Sequence, residues 1–146
     1  REGEVLIIVN AYGINSLTID SALVAKEKGL KVIAITSPEF AKAVPADHPA
    51  RHPSKKNLHE LDLDVIIDNH MPVGDAVVSV DGFAQRICPV STMLNVFVMN
   101  SIVACTVEKL IQRGIMPPVW MSANMPGGDE ANKKHVDRYF YRIKHL

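Results

Sequence analysis

A β-branched run, Val5-Leu6-Ile7-Ile8-Val9, stops at the polar turn Asn10-Ala11-Tyr12-Gly13-Ile14-Asn15 and gives way at once to an amphipathic stretch from Ser16 to Lys28. Gly29 follows, and then a second apolar run from Lys31 to Ser37. Strand, tight loop, helix and strand make a βαβ unit, in which the two strands run parallel. The loop after the first strand then lies at the carboxyl edge of a parallel sheet. That edge is where open α/β folds bind ligands.

The helix expected from Ser16 to Lys28 places Ile19, Ala22, Leu23 and Lys26 at i, i+3, i+4 and i+7, one face for the sheet, with the Lys26 stem at its margin. Ser16 is the expected N-cap and Gly29 the expected C′ residue. Every position from Val32 to Ile35 is apolar, as in a strand covered on both faces. From Ser37 to Glu60 the periodicity dissolves. Pro38, Pro45, Pro49 and Pro53 break any long helix there, leaving room for a short turn over Glu39 to Ala43. A connection this long in a small domain is usually functional.

A third strand is expected at Val65 to Asp68 and a fourth at Ala76 to Val80, with a hairpin return through Asp81-Gly82 to Phe83–Ile87. Ser91 to Gly114 reads as a buried helix, whose second half carries Val103, Val107, Leu110 and Ile111 on one stripe. Ile115 to Met121 reads as a last extended segment bent at Pro117-Pro118. Asp129 is the expected cap of a C-terminal helix with Val136, Tyr139, Phe140 and Ile143 as its apolar stripe.

Length fits one domain able to bury a core, at 146 residues. The 16 basic residues balance 16 acidic ones, which gives no basic footprint for nucleic acid and no acidic tail. Cys88 and Cys105 sit in apolar surroundings without metal-like spacing, which reads as two buried free thiols in a reducing cytosol. The apolar stretch from Met93 to Val107 is interrupted by Asn95, Asn100, Ser101 and Thr106 and falls short of the roughly 20 residues of a membrane span. A cytoplasmic protein without a membrane partner is the expectation. An opening of Arg1-Glu2-Gly3-Glu4, leading directly into a core strand, reads as the inside of a longer protein.

Three features converge on the carboxyl edge if this topology holds. Gly13 lets backbone approach a ligand closely, and the helix start beyond it offers free N–H groups and the positive end of a dipole, suited to phosphate or carboxylate. Thr36 and Ser37 place hydroxyls at the end of the next strand, where they either face a ligand or satisfy their own turn. Ser91 and Thr92, at the mouth of the long helix, read either as a cap or as a second anion-facing helix start.

His48 and His52 are four apart, with His59 close by, but prolines at 49 and 53 prevent the helical face that zinc spacing requires, so no metal is expected. His52, in a polar loop at the binding edge, suits general acid/base chemistry, against the plainer reading of a solvated loop histidine. His135 and His145 fall on the polar side of the last helix and read as surface residues. There is no Gly-x-Ser-x-Gly elbow and no Gly-x-Gly-x-x-Gly fingerprint, so neither a nucleophilic serine nor a dinucleotide is expected.

The segments Glu4–Ile8, Gly29–Ser37 and Val65–Asn69 together resemble the sugar isomerase (SIS) domain superfamily. Val44-Pro45, Arg51-His52-Pro53-Ser54-Lys55, Gly74-Asp75-Ala76, Ser91-Thr92, Ser122-Ala123-Asn124 and Gly127-Gly128-Asp129-Glu130 narrow this to an uncharacterised bacterial branch that binds phosphosugars. The likeness covers nearly the whole chain and corresponds to the C-terminal part of a family member. It implies an α/β three-layer sandwich of flavodoxin-like type with a mainly parallel sheet. It also implies a single SIS-type domain over residues 1–146, a phosphosugar ligand, no cofactor and a homodimer or larger homo-oligomer. The family's first loop reads Ser-x-Ser-Gly. Here Asn10-Ala11-Tyr12-Gly13 keeps the glycine and replaces both hydroxyls.

The expected activity is binding of a phosphorylated sugar or related carbohydrate derivative, with isomerisation of an aldose or ketose phosphate. His52 is the expected acid/base, assisted by Glu130; Asn10, Gly13, Asn15, Ser37, Ser54, Lys55, Ser91 and Thr92 are the expected ligand contacts. Two rivals come from other classes: a non-catalytic sugar-phosphate sensor, favoured by the altered loop, and a structural dimerisation module, favoured by the long apolar helix.

Overall fold

The structure, a computed structural model, describes residues 2–143. It resolves into two compact units, the first running to Ser101 and the second beginning at Ile102.

The first unit is built on β1 (Val5–Val9), α1 (Ser16–Glu27), β2 (Lys31–Thr36) and β3 (Val65–Asp68). The strands form a parallel sheet in the order β1-β2-β3, with Ile7 opposite Ile33 and Ile35 opposite Ile67. The central strand is β2, and Val32, Ala34, Ile35 and Thr36 are fully buried in it. This is why its sequence is a continuous apolar run rather than an alternating one. Ile19, Ala22 and Ala25 of α1 close over Val32, Ala34, Leu58 and Leu61, with Leu6 and Ile8 at the margin.

The helix is set one step earlier than expected. Asn15, not Ser16, is the N-cap, its side-chain oxygen accepting the Thr18 N–H at 3.1 Å. A rotation of the buried stripe follows: Thr18, Ile19, Ala22 and Ala25 face inward, and Leu23 is exposed. Lys28 is the C-cap and Gly29 stands at C′ with φ +74°, as its lack of a Cβ permits.

Between β2 and β3 lie α2 (Pro38–Ala43) and a 3-10 turn, Leu58–Glu60; the proline-bearing stretch between them forms no further helix or strand. A separate antiparallel hairpin joins β4 (Ala76–Val80) to β5 (Phe83–Pro89) across Asp81-Gly82. Helix α3 (Ser91–Gln112) starts in the first unit and continues into the second, and α4 (Gly128–Tyr139) lies in the second.

Several expectations need correction. None of the residues of α3 is buried; Leu94, Val98, Met99, Ile102, Val107 and Leu110 are half-covered, while Met93, Phe97 and Ile111 stand in solvent. Its apolar residues run around more of the helix than the neighbouring segments cover. By length and composition α3 also meets the requirement for a membrane span, with a mean hydropathy of 1.5. Cys88 and Cys105 are exposed for the same reason, one on the open hairpin and one on α3. Ile115 to Met121 makes no strand, because no partner strand pairs with it.

In the second unit α4 is capped by Gly127 in the left-handed region (φ +78°), not by Asp129, which sits in the first turn. Gly128 is required where it is, since a Cβ there would overlap the Ser122 carbonyl. His135 is half-buried, its ring centroid 5.7 Å from that of Trp120, rather than a plain surface residue. His145 lies outside the described residues.

Candidate functional site

Because β1, β2 and β3 are parallel, their ends bring Asn10, Ser37 and Asn69 to one edge, joined by the bonds Asn10 N–H to Ile35 O (3.0 Å) and Asn69 N–H to Thr36 O (3.1 Å). The first loop is braced from within. Asn10 Oδ1 accepts the Gly13 N–H at 2.8 Å, and Asn10 Nδ2 donates to Thr18 Oγ1 at 2.8 Å. Both ends of that amide are thus spent on holding the loop against the start of α1. Asn15 is spent on the cap. Gly13 is buried at φ +53°, under Leu58 and the buried Thr36 hydroxyl, whose oxygen has no partner among the described atoms.

An α-helix leaves its first N–H groups without intrahelical acceptors, and this edge presents the first turn of α1 beside the Gly13 loop. Tyr12 turns its ring onto Phe40, centroids 5.3 Å apart. Together with Ile14, Val44 and His48 they line a mostly apolar cavity of about 270 Å³. Ser37 is fully buried: its hydroxyl donates to Met71 O at 2.8 Å and accepts the Phe40 N–H at 3.2 Å, which caps α2.

The long connection returns to α1 at a defined point. Asn15 and Arg51 form an isolated antiparallel bridge, and the His52 N–H donates to Ile14 O at 2.8 Å. Arg51 fixes the shape of this segment. Its guanidinium donates to Pro45 O (2.8 Å), Val44 O (2.6 Å), Ala41 O (2.9 Å) and Asn57 Oδ1 (2.7 Å). One planar fork thereby gathers three backbone carbonyls and the Asn57 side-chain oxygen.

With the backbone so held, the His52 ring lies against α1. Nε2 is 3.1 Å from Asp20 Oδ1 and Nδ1 is 2.7 Å from Ser54 Oγ. Lys55, next in the chain, is exposed with φ +59°. His59 is different in kind: burial pushes its imidazole below the usual histidine range, partly opposed by Glu60, and its Nδ1 has no partner among the described atoms.

The start of α3 is already occupied by a carboxylate. Asp75 Oδ1 accepts the Val90 and Ser91 N–H groups at 2.9 and 2.6 Å, and Oδ2 accepts the Ser91 hydroxyl at 2.7 Å. Thr92 is exposed in the first turn. Asn69 links this helix to the sheet edge, donating to Asn95 Oδ1 at 2.8 Å. Glu130 belongs to the second unit, where it lines a shallow cavity of about 540 Å³ with Trp120, Asn132 and Lys133. Among the described residues no three His, Cys, Asp or Glu side chains are grouped to hold a metal.

The first unit therefore brings together Asn10, Gly13, Asn15, His52 and Ser54 around the start of α1. Asp20, Arg51 and Asp75 were not anticipated. Asp20 looks like any solvent-face helix residue until the long connection folds back onto it. Arg51 opens the run Arg51-His52-Pro53-Ser54-Lys55, but no local signal shows carbonyls six to ten residues upstream as its acceptors.

A family model described as a SIS domain matches residues 1–37. The whole chain is similar to a UPF0309 protein of Brucella anthropi, at 42% identity over 57% of that protein. It is likewise similar to UPF0309 proteins of Shouchella clausii, at 38% over 57%, and Geobacillus kaustophilus, at 37% over 55% with 98% of this chain aligned. The chain thus spans a little over half the length of these relatives.

Proposed function

Since this chain belongs to the UPF0309 family of SIS-domain proteins, we propose that it binds a phosphorylated sugar or related carbohydrate derivative at the carboxyl edge of the β1-β2-β3 sheet. There it isomerises an open-chain aldose or ketose phosphate by moving a proton. The observation that carries this reading is the place of His52. Its backbone is bonded to Ile14 and its ring rests on α1, beside a glycine loop and a helix start suited to an anion.

In this reading the anionic group sits over Gly13 and the first turn of α1, with Lys55 supplying positive charge and Ser54 a hydroxyl. Asn10, Asn15 and Ser37 contribute by shaping the edge, since their side chains already hold the loop and the two helix caps. The start of α3, with Ser91 and Thr92, carries the Asp75 carboxylate, which makes it the poorer anion site. His52 is the acid/base. The whole protein is read as cytoplasmic and homodimeric or larger. Its sheet lies in a three-layer sandwich, because parallel sheets are covered on both faces.

A sensor without turnover is the second reading, favoured by the engagement of Asn10 within its loop and of Tyr12 on Phe40 where the family carries hydroxyls. The exposed apolar surface of α3 favours a third, a dimerisation module. A thermal-shift screen against sugar phosphates, nucleotide sugars and inorganic phosphate separates them. The isomerase predicts stabilisation by a sugar phosphate together with turnover, and the sensor predicts stabilisation alone. The module predicts no shift and a dimer that persists on dilution.

A further inference from the structure

We propose that the proton-transfer unit of this site is Asp20, His52 and Ser54 together. Asp20 is the positioning residue that fixes the His52 tautomer, and Ser54 is the hydroxyl through which Nδ1 exchanges a proton with the ligand. The inference rests on the reading of His52 as the acid/base.

The hydrogen-bond directions assign the protons. The Ser54 backbone N–H can only donate, and it points at His52 Nδ1 from 3.1 Å. Nδ1 therefore carries a lone pair, and the proton of the neutral ring is on Nε2. Nε2 lies 3.1 Å from Asp20 Oδ1, a carboxylate that can only accept. The Lys56 N–H donates to Ser54 Oγ at 3.3 Å, which leaves that oxygen's own proton for Nδ1, 2.7 Å away. Every group in the array thus has a defined role.

Burial agrees with those roles. The His52 side chain is 15% exposed, so its ring is held rather than solvated, while Asp20 is 60% exposed on the rigid face of α1. Ser54 is exposed and stands directly on Nδ1, between that nitrogen and solvent. A proton reaching the ring passes through its hydroxyl. In the step proposed, the carbon beside the ligand carbonyl gives its proton to Ser54 Oγ while the Ser54 proton passes to Nδ1. The ligand C–H bond breaks and its electron pair becomes the C=C bond of an enediolate as the carbonyl oxygen takes the negative charge; the Ser54 O–H bond is re-formed and an N–H bond forms on the ring. The imidazolium charge is opposed by Asp20, the reverse transfer places the proton on the neighbouring carbon, and the remaining enediol O–H proton passes to the former carbonyl oxygen. No oxidant or reductant takes part.

The test is a long-range ¹H–¹⁵N spectrum of the histidine rings in the full-length protein, with His52 assigned by its loss in His52→Gln. The wild type is expected to show a pyrrole-like Nε2 and a pyridine-like Nδ1. Asp20→Ala, a surface change on α1, leaves the Ser54 N–H as the one remaining bias and is expected to move both ring signals part-way toward the averaged values, and Asp20→Glu to restore the pattern. Ser54→Ala keeps the backbone donor, so it should keep the tautomer while lowering kcat about tenfold or more at unchanged KM. If the wild type turns over no sugar phosphate, the functional reading fails, and the tautomer comparison alone decides this inference. A wild-type ring protonated on Nδ1, a spectrum unchanged in Asp20→Ala, or full turnover in Ser54→Ala overturns it.

Discussion

Gly13 stands so close to Leu58 that a Cβ on it would lie 2.7 Å from the Leu58 Cβ and 2.9 Å from Thr36 Oγ1. At the same point the Leu58 N–H donates to the Gly13 carbonyl at 2.7 Å. The loop after β1 and the turn before β3 therefore meet backbone to backbone, with no room for a side chain. Gly13 is also at φ +53°, where any L-residue is strained.

Gly13→Ala should accordingly destabilise the protein by about 2–3 kcal/mol, combining left-handed strain with overpacking. Urea denaturation reads this as a lower midpoint at unchanged slope. An unaltered midpoint would mean that loop and turn part easily.

Much of this edge is legible in the sequence, and the reason is local. Val5–Val9, the polar turn and the Val32–Ile35 run each carry their own periodicity, so strand, loop and strand follow without knowledge of distant contacts. The Asp81-Gly82 turn announces its hairpin in the same way. Asp20 meets His52 only through a return of the chain across 32 residues, and nothing near either residue encodes that approach. The sequence of α3 reads as buried and the helix is not, because apolar composition states a demand for cover and does not supply it.

The Asp64 carboxyl is held well below the usual carboxylate range. Lys31, 2.9 Å from Oδ1, is the chief cause, followed by the Val32 N–H at 2.9 Å and by Lys26 at 3.2 Å from Oδ2. Its folded value lies below its unfolded one, so the stabilisation is present above the ordinary value of 3.8 and is lost as pH falls through the depressed one. Lys31 is pushed up by the same hydrogen bond, so its share is present below 10.5 and fades as pH rises through the raised value. Urea midpoints from about pH 7 down to about pH 2 should fall less steeply in Asp64→Asn. Parallel curves for variant and wild type would exclude Asp64 as a source of the acid limb. Added salt should weaken the difference.

Arg51→Lys should cost about 2–3 kcal/mol, because a lysine keeps the charge but cannot present the fork that reaches Pro45, Val44, Ala41 and Asn57. Hydrogen exchange over residues 45–57 should quicken more than exchange in β2. Equal protection in variant and wild type would show the proline-rich segment to be held by other contacts.

Asp75→Ala removes the acceptor of two backbone N–H groups at the start of α3 and should cost about 1–2 kcal/mol. Asn at this position tolerates the left-handed φ of +65° and keeps one acceptor oxygen, so Asp75→Asn should recover much of the loss. Thermal unfolding followed by far-UV ellipticity distinguishes the two. Equal losses would mean that the charge, not the cap, is what matters.

The central claim is that a sugar phosphate is isomerised at the carboxyl edge with His52 as acid/base. Its most direct measurement is turnover of an aldose- and ketose-phosphate panel by the full-length wild type and by His52→Ala. The predicted result is conversion by the wild type and a fall of about 10²-fold or more in the variant, with ligand-induced thermal stabilisation retained. Turnover in His52→Ala equal to that of the wild type would contradict it.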